Sequence, residues 1–275
     1  MFTLNCKGRL LAVDKPLVMG VINATPDSFY SGSRFPQKED ALHEAEKMLK
    51  EGATILDIGA QSTRPGSVRI RSDEELDRVI PVFESINKEF PDAILSIDTY
   101  YPVVAKAAVE AGASIINDIS AGNTEGMLET AAHLKTPYVC MHMKGTPDTM
   151  QQQPQYDNVT NEVLEFFIRK LEQCRNAGIN DVIVDPGFGF GKTIHHNFRL
   201  LKELNVFKIL QKPLLLGLSR KSTIYKTIGS GPEEALNGTT VLNTIGLMNG
   251  GVILRVHDVK EAMETIKLFE AYSKA

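Results

Sequence analysis

The feature that most constrains this chain is an alternation, repeated eight times, of a short apolar run with a longer amphipathic segment. Strands that alternate with helices in this way form parallel sheets with helical crossovers. The eight predicted strands are LVMGVIN (17 to 23), TILDIG (54 to 59), AILSID (93 to 98), SIIN (114 to 117), YVCMH (138 to 142), DVIVD (181 to 185), PLLLGLS (213 to 219) and GVILRVH (251 to 257).

The length of the chain favours a closed barrel over an open, doubly wound sheet. A (β/α)8 barrel typically takes about 250 residues, and the eight strand and helix units use up the 275 residues of this chain. No Pro/Ser-rich linker and no shift in composition divides the sequence. We therefore predict a single domain, residues 1 to 275, with the α/β architecture of a (β/α)8 TIM barrel.

Composition argues against several classes of partner. With 34 acidic and 30 basic side chains, the chain offers no electrostatic reason to bind nucleic acid or an anionic membrane. Its cysteines, Cys6, Cys140 and Cys174, are odd in number and widely spaced, which indicates neither a disulfide framework nor a zinc site. No apolar stretch approaches the length of a membrane span, and the first residues lack the apolar region of a signal peptide. We predict a cytoplasmic protein.

The glycine-rich stretch DPGFGFGKT, residues 185 to 193, suggests a phosphate-binding loop but has the wrong spacing. A Walker loop needs four residues between its first glycine and Gly-Lys-Thr, and only three separate Gly187 from Gly191. A dinucleotide-binding fingerprint would need a glycine at the position of Lys192. We therefore expect Lys192 to be a surface lysine or a helix-start lysine whose removal leaves turnover nearly intact.

Polar residues occur at the end of every predicted strand. A single polar residue there is usually a cap or turn residue, but a barrel brings all eight strand ends to one rim, where active sites lie. Asp57 lies before the end of its strand, and we expect it to hold neighbouring groups in place. The strand-end residues are Asn23, Asp57, Asp98, Asn117, His142, Asp185, Ser219 with Lys221 beyond it, and Arg255 with His257.

These residues fall into two chemical subsets. Asp98, Asn117 and Asp185 offer carboxylate and amide groups, which suit a planar heterocycle with adjacent N–H donors. Positive charge and further donors suit an anion such as phosphate. The second subset is Arg64, Lys221, Arg255 and His257, with Asn23, Ser62 and Thr63 as neutral contacts. The sequence thus predicts a site for a ring at the centre of the barrel and a phosphorylated tail near the rim.

Eight motifs at these positions resemble the dihydropteroate synthase family, folate-pathway enzymes that are targeted by sulfonamides. The resemblance runs nearly from end to end of the chain. The motifs are VMGVINATPDSF (18 to 29), DIGAQSTRPG (57 to 66), SIDT (96 to 99), IIND (115 to 118), MHMKGTP (141 to 147), DPGFGFGKT (185 to 193), GLSRKS (217 to 222) and RVHDV (255 to 259).

The resemblance implies a magnesium-dependent transferase. Such an enzyme joins 6-hydroxymethyl-7,8-dihydropterin pyrophosphate to p-aminobenzoate, releases pyrophosphate and forms a homodimer, for which the amphipathic last helices are candidate interfaces. Lys221, Arg255 and His257 would be catalytic. The implied pterin-binding residues are Asp98, Asn117, Met141, Asp185, Lys221 and Arg255. Those for pyrophosphate are Asn23, Thr63, Arg64, Arg255 and His257. Asn23 would also bind Mg²⁺. The p-aminobenzoate site would be lined by Phe29, Pro65, Phe190 and Ser222, with Lys221.

One departure from the family pattern concerns the first loop. Family members often carry Ser-Asp-Gly-Gly after the PDSF motif, whereas this chain has Ser31 in place of the aspartate. An acid proposed to assist the reaction from that loop is therefore missing. Its role is dispensable, is taken by Asp27, or belongs to a different detailed mechanism.

Two rival functions remain open at this stage. A corrinoid-linked methyltetrahydrofolate methyltransferase would share the pterin carboxylates, but it has no pyrophosphate to hold, and this chain carries no cobalamin-binding module. A non-catalytic pterin-binding paralogue would not need the predicted anion-binding residues. Both considerations favour the synthase.

Overall fold

The computed structural model describes residues 1–24, 36–61, 69–146, 150 and 154–275. It consists of an antiparallel hairpin followed by an eight-stranded parallel sheet. The two edge strands of this sheet meet at a bridge between Val184 and Leu214, which closes the barrel. The predicted (β/α)8 TIM barrel is therefore confirmed. The strands are β1 (Phe2–Cys6), β2 (Arg9–Val13), β3 (Leu17–Asn23), β4 (Ile55–Gly59), β5 (Ile94–Asp98), β6 (Ile115–Asp118), β7 (Tyr138–Met141), β8 (Val182–Asp185), β9 (Leu215–Leu216) and β10 (Ile253–Val256).

Helices pack around the outside of the barrel. In the described ranges they are α1 (Pro36–Glu51), α2 (Ser72–Glu89), α3 (Pro102–Glu110), α4 (Met127–Leu134), α5 (Val159–Ala177), α6 (Ile194–Lys202), α7 (Ser222–Ile228), α8 (Leu236–Met248) and α9 (Val259–Lys274). Short 3-10 helices span Leu204–Leu210 and Pro232–Glu234. Helix α7 is absent from the sequence prediction. It is followed by Gly229, a cap residue with a left-handed φ of 73°. None of the helices in these ranges is long and apolar enough to cross a membrane.

Strand alternation determines which side chains face the barrel axis. One apolar cluster collects an inward residue near the start of each parallel strand. These residues are Met19, Ile55, Ile94, Ile115, Val139, Ile183, Leu215 and Ile253. Because alternate residues of a strand share a face, positions two or four residues further on also face the axis, at the carboxyl end. Those positions hold Asn23, Asp57, Asp98, Asn117, Met141, Asp185, Gly217 and Arg255.

The hairpin closes the opposite end of the barrel. Leu4, Cys6 and Val13 are buried in the same apolar cluster as the first inward residues of the parallel strands. The hairpin turns at Lys7 and Gly8, whose φ angles of 52° and 88° are both positive, as a two-residue hairpin turn requires. The sequence analysis does not predict this hairpin, because Lys-Gly is a weak turn signal and the two strands precede the eight alternating units.

Candidate active site

The centre of the carboxyl rim is an ion-paired guanidinium. Arg255 donates from Nε to Asp57 Oδ2 and from Nη2 to Asp98 Oδ2, each at 2.6 Å. Asp57 Oδ2 also accepts a hydrogen bond from Asn117 Nδ2 at 3.0 Å. Residues 198 positions apart in the sequence thus meet directly, and Asp57, whose side chain is fully buried, holds its neighbours in place as predicted.

Burial and charge crowding perturb the titration of this centre. Burial raises the pKa of Asp98 to about 7, with the carboxylate of Asp57 adding to the effect and Arg255 opposing it. A carboxyl group with such a pKa changes its protonation state near neutral pH. Perturbed groups of this kind cluster at functional sites.

Asp185 ends β8 beside this centre and is held by its own loop. Its Oδ1 accepts a hydrogen bond from the backbone N–H of Gly187 at 2.8 Å. Burial raises the pKa of Asp185, although Lys221 and the Gly187 amide favour the charged form. The carboxylate is therefore oriented by the backbone and faces the barrel axis.

Lys221 reaches the same space from the loop after β9. Its Nζ donates to the carbonyl oxygen of Phe188 and lies 4.5 Å from the centre of the Phe190 ring. Burial lowers the pKa of Lys221 to about 8, with Asp185 opposing the shift. The ammonium thus sits between a carboxylate, a carbonyl and an aromatic face.

Two contacts tie the loop after β9 to the loop after β10. Ser219 Oγ lies 3.0 Å from His257 Nδ1 and also accepts from the backbone N–H of His257. Arg220 donates to both carboxylate oxygens of Asp258, at 2.9 and 2.8 Å. These contacts fix the spacing between Lys221 and the exposed His257.

An apolar group adjoins the polar centre. Met141, Tyr100 and Ile119 are buried together, with Phe190 packed against them. Ser222 begins α7 directly after Lys221 and is half-buried. Asn23 ends β3 in register with Gly59 and is exposed at the rim.

The structure contradicts the predicted surface position of Lys192. This side chain is only 3% exposed, and its Nζ lies 2.9 Å from His142 Nδ1 and 2.9 Å from the carbonyl oxygen of Gly187. His142 also departs from the predicted strand-end set: it has the wrong parity to face the axis, and its ring packs edge-on against Phe166 of α5, with centroids 4.8 Å apart.

Sequence reasoning missed Gly217, the inward position after β9. A Cβ built there would lie 3.6 Å from Lys221 Nζ and 3.9 Å from Asp185 Oδ2. The missing side chain leaves open the space that these two charged groups face. The strand alternation counted from Leu215 is the signal that identifies this position.

The remaining predicted residues lie outside the described ranges. They are Asp27, Phe29, Ser31, Ser62, Thr63, Arg64 and Pro65.

The described part of the rim therefore carries hydrogen-bond acceptors that can bind the N–H groups of a ring, and cationic side chains that can bind an anion. The acceptors are on Asp98, Asn117 and Asp185, and the cations are Lys221 and Arg255. All five face one space at the carboxyl ends of parallel strands, the usual position of an active site in this fold.

Comparison with known proteins agrees with this arrangement. A family model described as "Pterin binding enzyme" matches residues 19–257. The dihydropteroate synthase of Escherichia coli strain K12 is 45% identical over 267 residues, covering 96% of this chain and 94% of that protein. The Yersinia pestis dihydropteroate synthase, solved with a sulfonamide drug complex, superposes with a TM-score of 0.94 at 42% identity over 100% of both chains.

A third comparison concerns a product complex. The Xanthomonas albilineans dihydropteroate synthase in complex with 7,8-dihydropteroate has a TM-score of 0.91 to this chain, at 37% identity over 100% of both chains. Identity and coverage at this level establish the family that the strand-end motifs predict. The chain belongs to the pterin-binding enzymes and, within them, to the dihydropteroate synthase family.

Proposed function

We propose that this chain condenses 6-hydroxymethyl-7,8-dihydropterin pyrophosphate with p-aminobenzoate to give 7,8-dihydropteroate and pyrophosphate. The observation that carries the proposal is the convergence of Asp98, Asn117 and Asp185 with Lys221 and Arg255 on one space. A dihydropteroate synthase of known structure has been solved with 7,8-dihydropteroate, the product proposed here.

The carboxylate and amide groups bind the pterin edge. A pterin presents adjacent N–H donors, and a carboxylate oriented in the plane of the ring accepts two of them. Asp185 suits this role because the Gly187 amide fixes its orientation. Asp98 and Asn117 are opposite each other in the β5–β6 register and supply the neighbouring contacts.

Arg255 packs against the pterin face. The pairs with Asp57 and Asp98 lie along the edge of its guanidinium and hold the plane in one orientation. A planar guanidinium fixed by its edge presents its face for stacking. Met141 adds an apolar contact at the same level.

Lys221 connects the pterin site to the p-aminobenzoate site. Its Nζ reaches the pterin carbonyl and ring nitrogen from one side, and Phe190 flanks the ammonium on the other. Phe190 and Ser222 line the p-aminobenzoate site, with the Ser222 hydroxyl donating to the carboxylate. Phe29 and Pro65, which lie outside the described residues, complete the proposed lining.

The pyrophosphate lies at the outer rim. His257 and Arg255 supply donors to it, together with Asn23 and the undescribed Thr63 and Arg64. Among the described residues there is no cluster of three or more His, Cys, Asp or Glu side chains able to hold a metal. Asn23 would supply one amide oxygen, a ligand that suits Mg²⁺, beside the substrate's phosphates. Bound Mg²⁺ would neutralise charge on the departing pyrophosphate.

The chemical step needs no covalent nucleophile from the protein. The C–O bond between the pterin methylene and the pyrophosphate breaks, and its electron pair leaves with the pyrophosphate oxygen. The electron-rich pterin ring stabilises the resulting cation, and the cationic side chains stabilise the leaving anion. The aniline nitrogen then forms the new C–N bond and loses one proton to solvent.

The direct test follows pyrophosphate release by the full chain with Mg²⁺. We expect release only when the pterin pyrophosphate and p-aminobenzoate are both present, with dihydropteroate formed in equal amount. The controls omit one substrate at a time. Absence of release that depends on both substrates contradicts the proposed reaction.

We also propose that the chain is a cytoplasmic homodimer. Helix α8 exposes Val241, Ile245 and Met248 at helical spacing, which supports an interface on the last helices. All three cysteines are buried and unpaired, which supports a reducing location. Sedimentation of the wild-type chain and of Ile245→Glu tests the interface, since a monomeric wild type contradicts it.

A further inference from the structure

Lys192 occupies an unusual position for a lysine with no carboxylate in direct contact. Its buried Nζ lies 2.9 Å from the Gly187 carbonyl oxygen, 3.0 Å from the Phe190 carbonyl oxygen and 2.9 Å from His142 Nδ1. Burial of a lysine is costly unless its polar atoms are paired, so these contacts constrain where the nitrogen and its partners can lie.

Both loop carbonyls accept hydrogen bonds from the same nitrogen, and the Gly187 carbonyl also accepts one from the Phe190 backbone N–H at 3.1 Å. A lysine side chain has at least two N–H donors whether or not it carries a charge, which is enough for both carbonyls. His142 takes the third position, as an acceptor from the ammonium or as a donor to the amine. Burial and Lys192 itself lower the pKa of His142 well below its usual range, so the ring is neutral in either arrangement.

The segment that carries these carbonyls, residues 186 to 191, is here called the glycine loop. Its outer groups face the active site: the Phe188 carbonyl accepts from Lys221, and the Phe190 ring lies against the same ammonium. Its inner groups, the carbonyls of Gly187 and Phe190, turn to Lys192. The loop is therefore held between two lysines, one facing the substrate space and one buried behind it.

The glycines permit this shape. Gly187 and Gly191 have φ angles of 67° and 62°, and a Cβ on either would lie 1.9 Å from the His142 carbonyl oxygen or 2.3 Å from the Lys144 carbonyl oxygen, respectively. The loop thus packs directly on the backbone that follows β7, and the glycines serve this close approach. Glycine is conformationally permissive, so side-chain contacts select one conformation of the loop. Besides Lys192, Asn197 Oδ1 accepts from the Gly189 N–H at 2.9 Å and the Tyr156 hydroxyl donates to the Gly191 carbonyl at 2.9 Å.

We propose that Lys192 is a positioning residue for the reaction. Its side-chain nitrogen holds the Gly187 and Phe190 carbonyls, and through them the glycine loop, in the shape that presents the Phe188 carbonyl and the Phe190 ring to Lys221. It does not contact substrate. The inference rests on the proposed function, because Phe190 and Lys221 are assigned there to the p-aminobenzoate site.

The geometry predicts an unequal effect on the two substrates. Asp185 belongs to β8, where its carbonyl accepts from the His142 backbone N–H at 2.9 Å and its Cα pairs with Met141. The strand ladder therefore keeps Asp185 in place without Lys192. Phe190 lies outside the strand ladder: its N–H donates to the Gly187 carbonyl within the same loop at 3.1 Å, and its carbonyl accepts from Lys192 at 3.0 Å. Loss of Lys192 should therefore displace the p-aminobenzoate wall more than the pterin carboxylate.

The test compares Lys192→Met and Lys192→Gln with the wild type and with Lys202→Met, a change at an exposed lysine on the following helix. Displacement of a positioned group by about 1 Å costs up to about 100-fold. We expect Lys192→Met to raise the KM for p-aminobenzoate about 10- to 100-fold, while the pterin Kd measured by calorimetry changes less than about threefold. Lys202→Met should match the wild type.

The order of the two KM values for p-aminobenzoate shows whether Lys192 acts by donating hydrogen bonds or by apolar packing. Glutamine keeps two N–H donors, so Lys192→Gln should raise the KM for p-aminobenzoate less than Lys192→Met does. A role in apolar packing alone reverses that order, since methionine is the better buried side chain. A wild-type KM in folded Lys192→Met, or a lower KM in Lys192→Met than in Lys192→Gln, overturns the inference.

Two further outcomes are distinguishable. If Lys192→Met does not fold, the comparison of Lys192→Gln with the wild type carries the test, and an unchanged KM for p-aminobenzoate overturns the inference. If neither the wild type nor Lys202→Met releases pyrophosphate with both substrates, the proposed function fails and the positioning role fails with it. Release by both proteins with an unaltered Lys192→Gln and Lys192→Met overturns only the positioning role.

Discussion

The two ends of the barrel are built from the same strands and the same alternation, yet they differ in composition. At the amino end the inward residues are apolar, and Leu4, Cys6 and Val13 of the hairpin cover them. At the carboxyl end the inward residues are mostly polar or charged. Burial raises the pKa of Asp185 and lowers the pKa of Lys221 to about 8, so charge at that end is held at a cost in stability. The amino end therefore stabilises the fold, and the carboxyl end is the proposed site of binding and reaction.

Arg255→Met should give the largest effect, because Arg255 contributes both to stability, through its ion pairs with Asp57 and Asp98, and to the proposed active site. The change leaves Asp57 and Asp98 buried without their cation, and we expect a loss of about 3–5 kcal/mol in the free energy of unfolding at pH 7. We also expect kcat/KM to fall by at least about 100-fold. Urea denaturation and steady-state kinetics measure the two effects.

The pH dependence of that loss follows from the shifted carboxyl group. Burial raises the pKa of Asp98 to about 7, so its proton is bound more tightly in the folded than in the unfolded chain, and at pH 5 the group is neutral. The destabilisation should therefore shrink between pH 7 and pH 5. Arg175→Met, at an exposed position on α5, is the control and should be nearly neutral. An Arg255→Met protein as stable as the wild type at pH 7 would show that the ion pairs of Arg255 with Asp57 and Asp98 do not stabilise the fold.

Leu4→Ala should affect only the amino end. Leu4 is 2% exposed within the apolar cluster, and truncation of such a leucine costs about 2–5 kcal/mol. At a temperature where the variant remains folded, kcat and both KM values should equal those of the wild type. Leu10→Ala on the same hairpin is the control: Leu10 is 74% exposed, and its truncation should change stability by less than about 0.5 kcal/mol. A large loss of activity in folded Leu4→Ala contradicts the division.

Asp185→Asn should weaken substrate binding without reducing the stability of the fold, the opposite of Leu4→Ala. One acceptor oxygen of the carboxylate proposed to bind the pterin becomes a donor, and loss of a charge-assisted hydrogen bond should weaken pterin binding about 10- to 100-fold. The raised pKa of Asp185 means that its ionised form destabilises the fold above the ordinary aspartate pKa. The variant, which mimics the protonated group, should therefore gain stability relative to the wild type as the pH rises above about 4.

Calorimetric binding and thermal unfolding across pH 4 to 8 measure these two effects of Asp185→Asn. Asp92→Asn, on an exposed loop at the other end of the barrel, is the matched control. Unchanged pterin affinity in folded Asp185→Asn removes this residue from the site.

Gly217→Ala should give the smallest effect and sharpen the boundary of the site. The added Cβ meets only ordinary contacts, 3.6 Å from Lys221 Nζ and 3.9 Å from Asp185 Oδ2, so we expect little change in stability. It does enter the space proposed for the pterin, and one added methyl group there should weaken binding about tenfold. Equal pterin affinity for the wild type and Gly217→Ala would place the ring elsewhere along the rim.

Much of this account is predictable from the sequence because strand alternation is strict. Once Ile55, Ile183 and Ile253 are taken as inward apolar residues, Asp57, Asp185 and Arg255 follow by counting two positions along each strand. The same count excludes His142, which the sequence analysis groups with the strand ends. What counting does not supply is the pairing among these residues, such as the ion pair between Asp57 and Arg255, which depends on side-chain conformation.

Lys192 marks the limit of sequence reasoning. Its burial depends on the backbone carbonyls of Gly187 and Phe190 and on a histidine 50 positions away, and none of these contacts has a sequence signal. The hairpin β1–β2 and helix α7 escape prediction for other reasons. The Lys-Gly turn of the hairpin is a weak sequence signal, and a seven-residue helix is too short for periodicity to identify.

The most direct test of the account is a crystal structure of the chain with the pterin and pyrophosphate bound. The account predicts that the N–H edge of the pterin lies within hydrogen-bonding distance of Asp98, Asn117 and Asp185, with the Arg255 guanidinium against its face and pyrophosphate beside His257. A pterin bound outside the barrel rim, for example in the groove lined by Lys144, Tyr156 and His196, would contradict the assignment of the carboxyl end as the site of reaction.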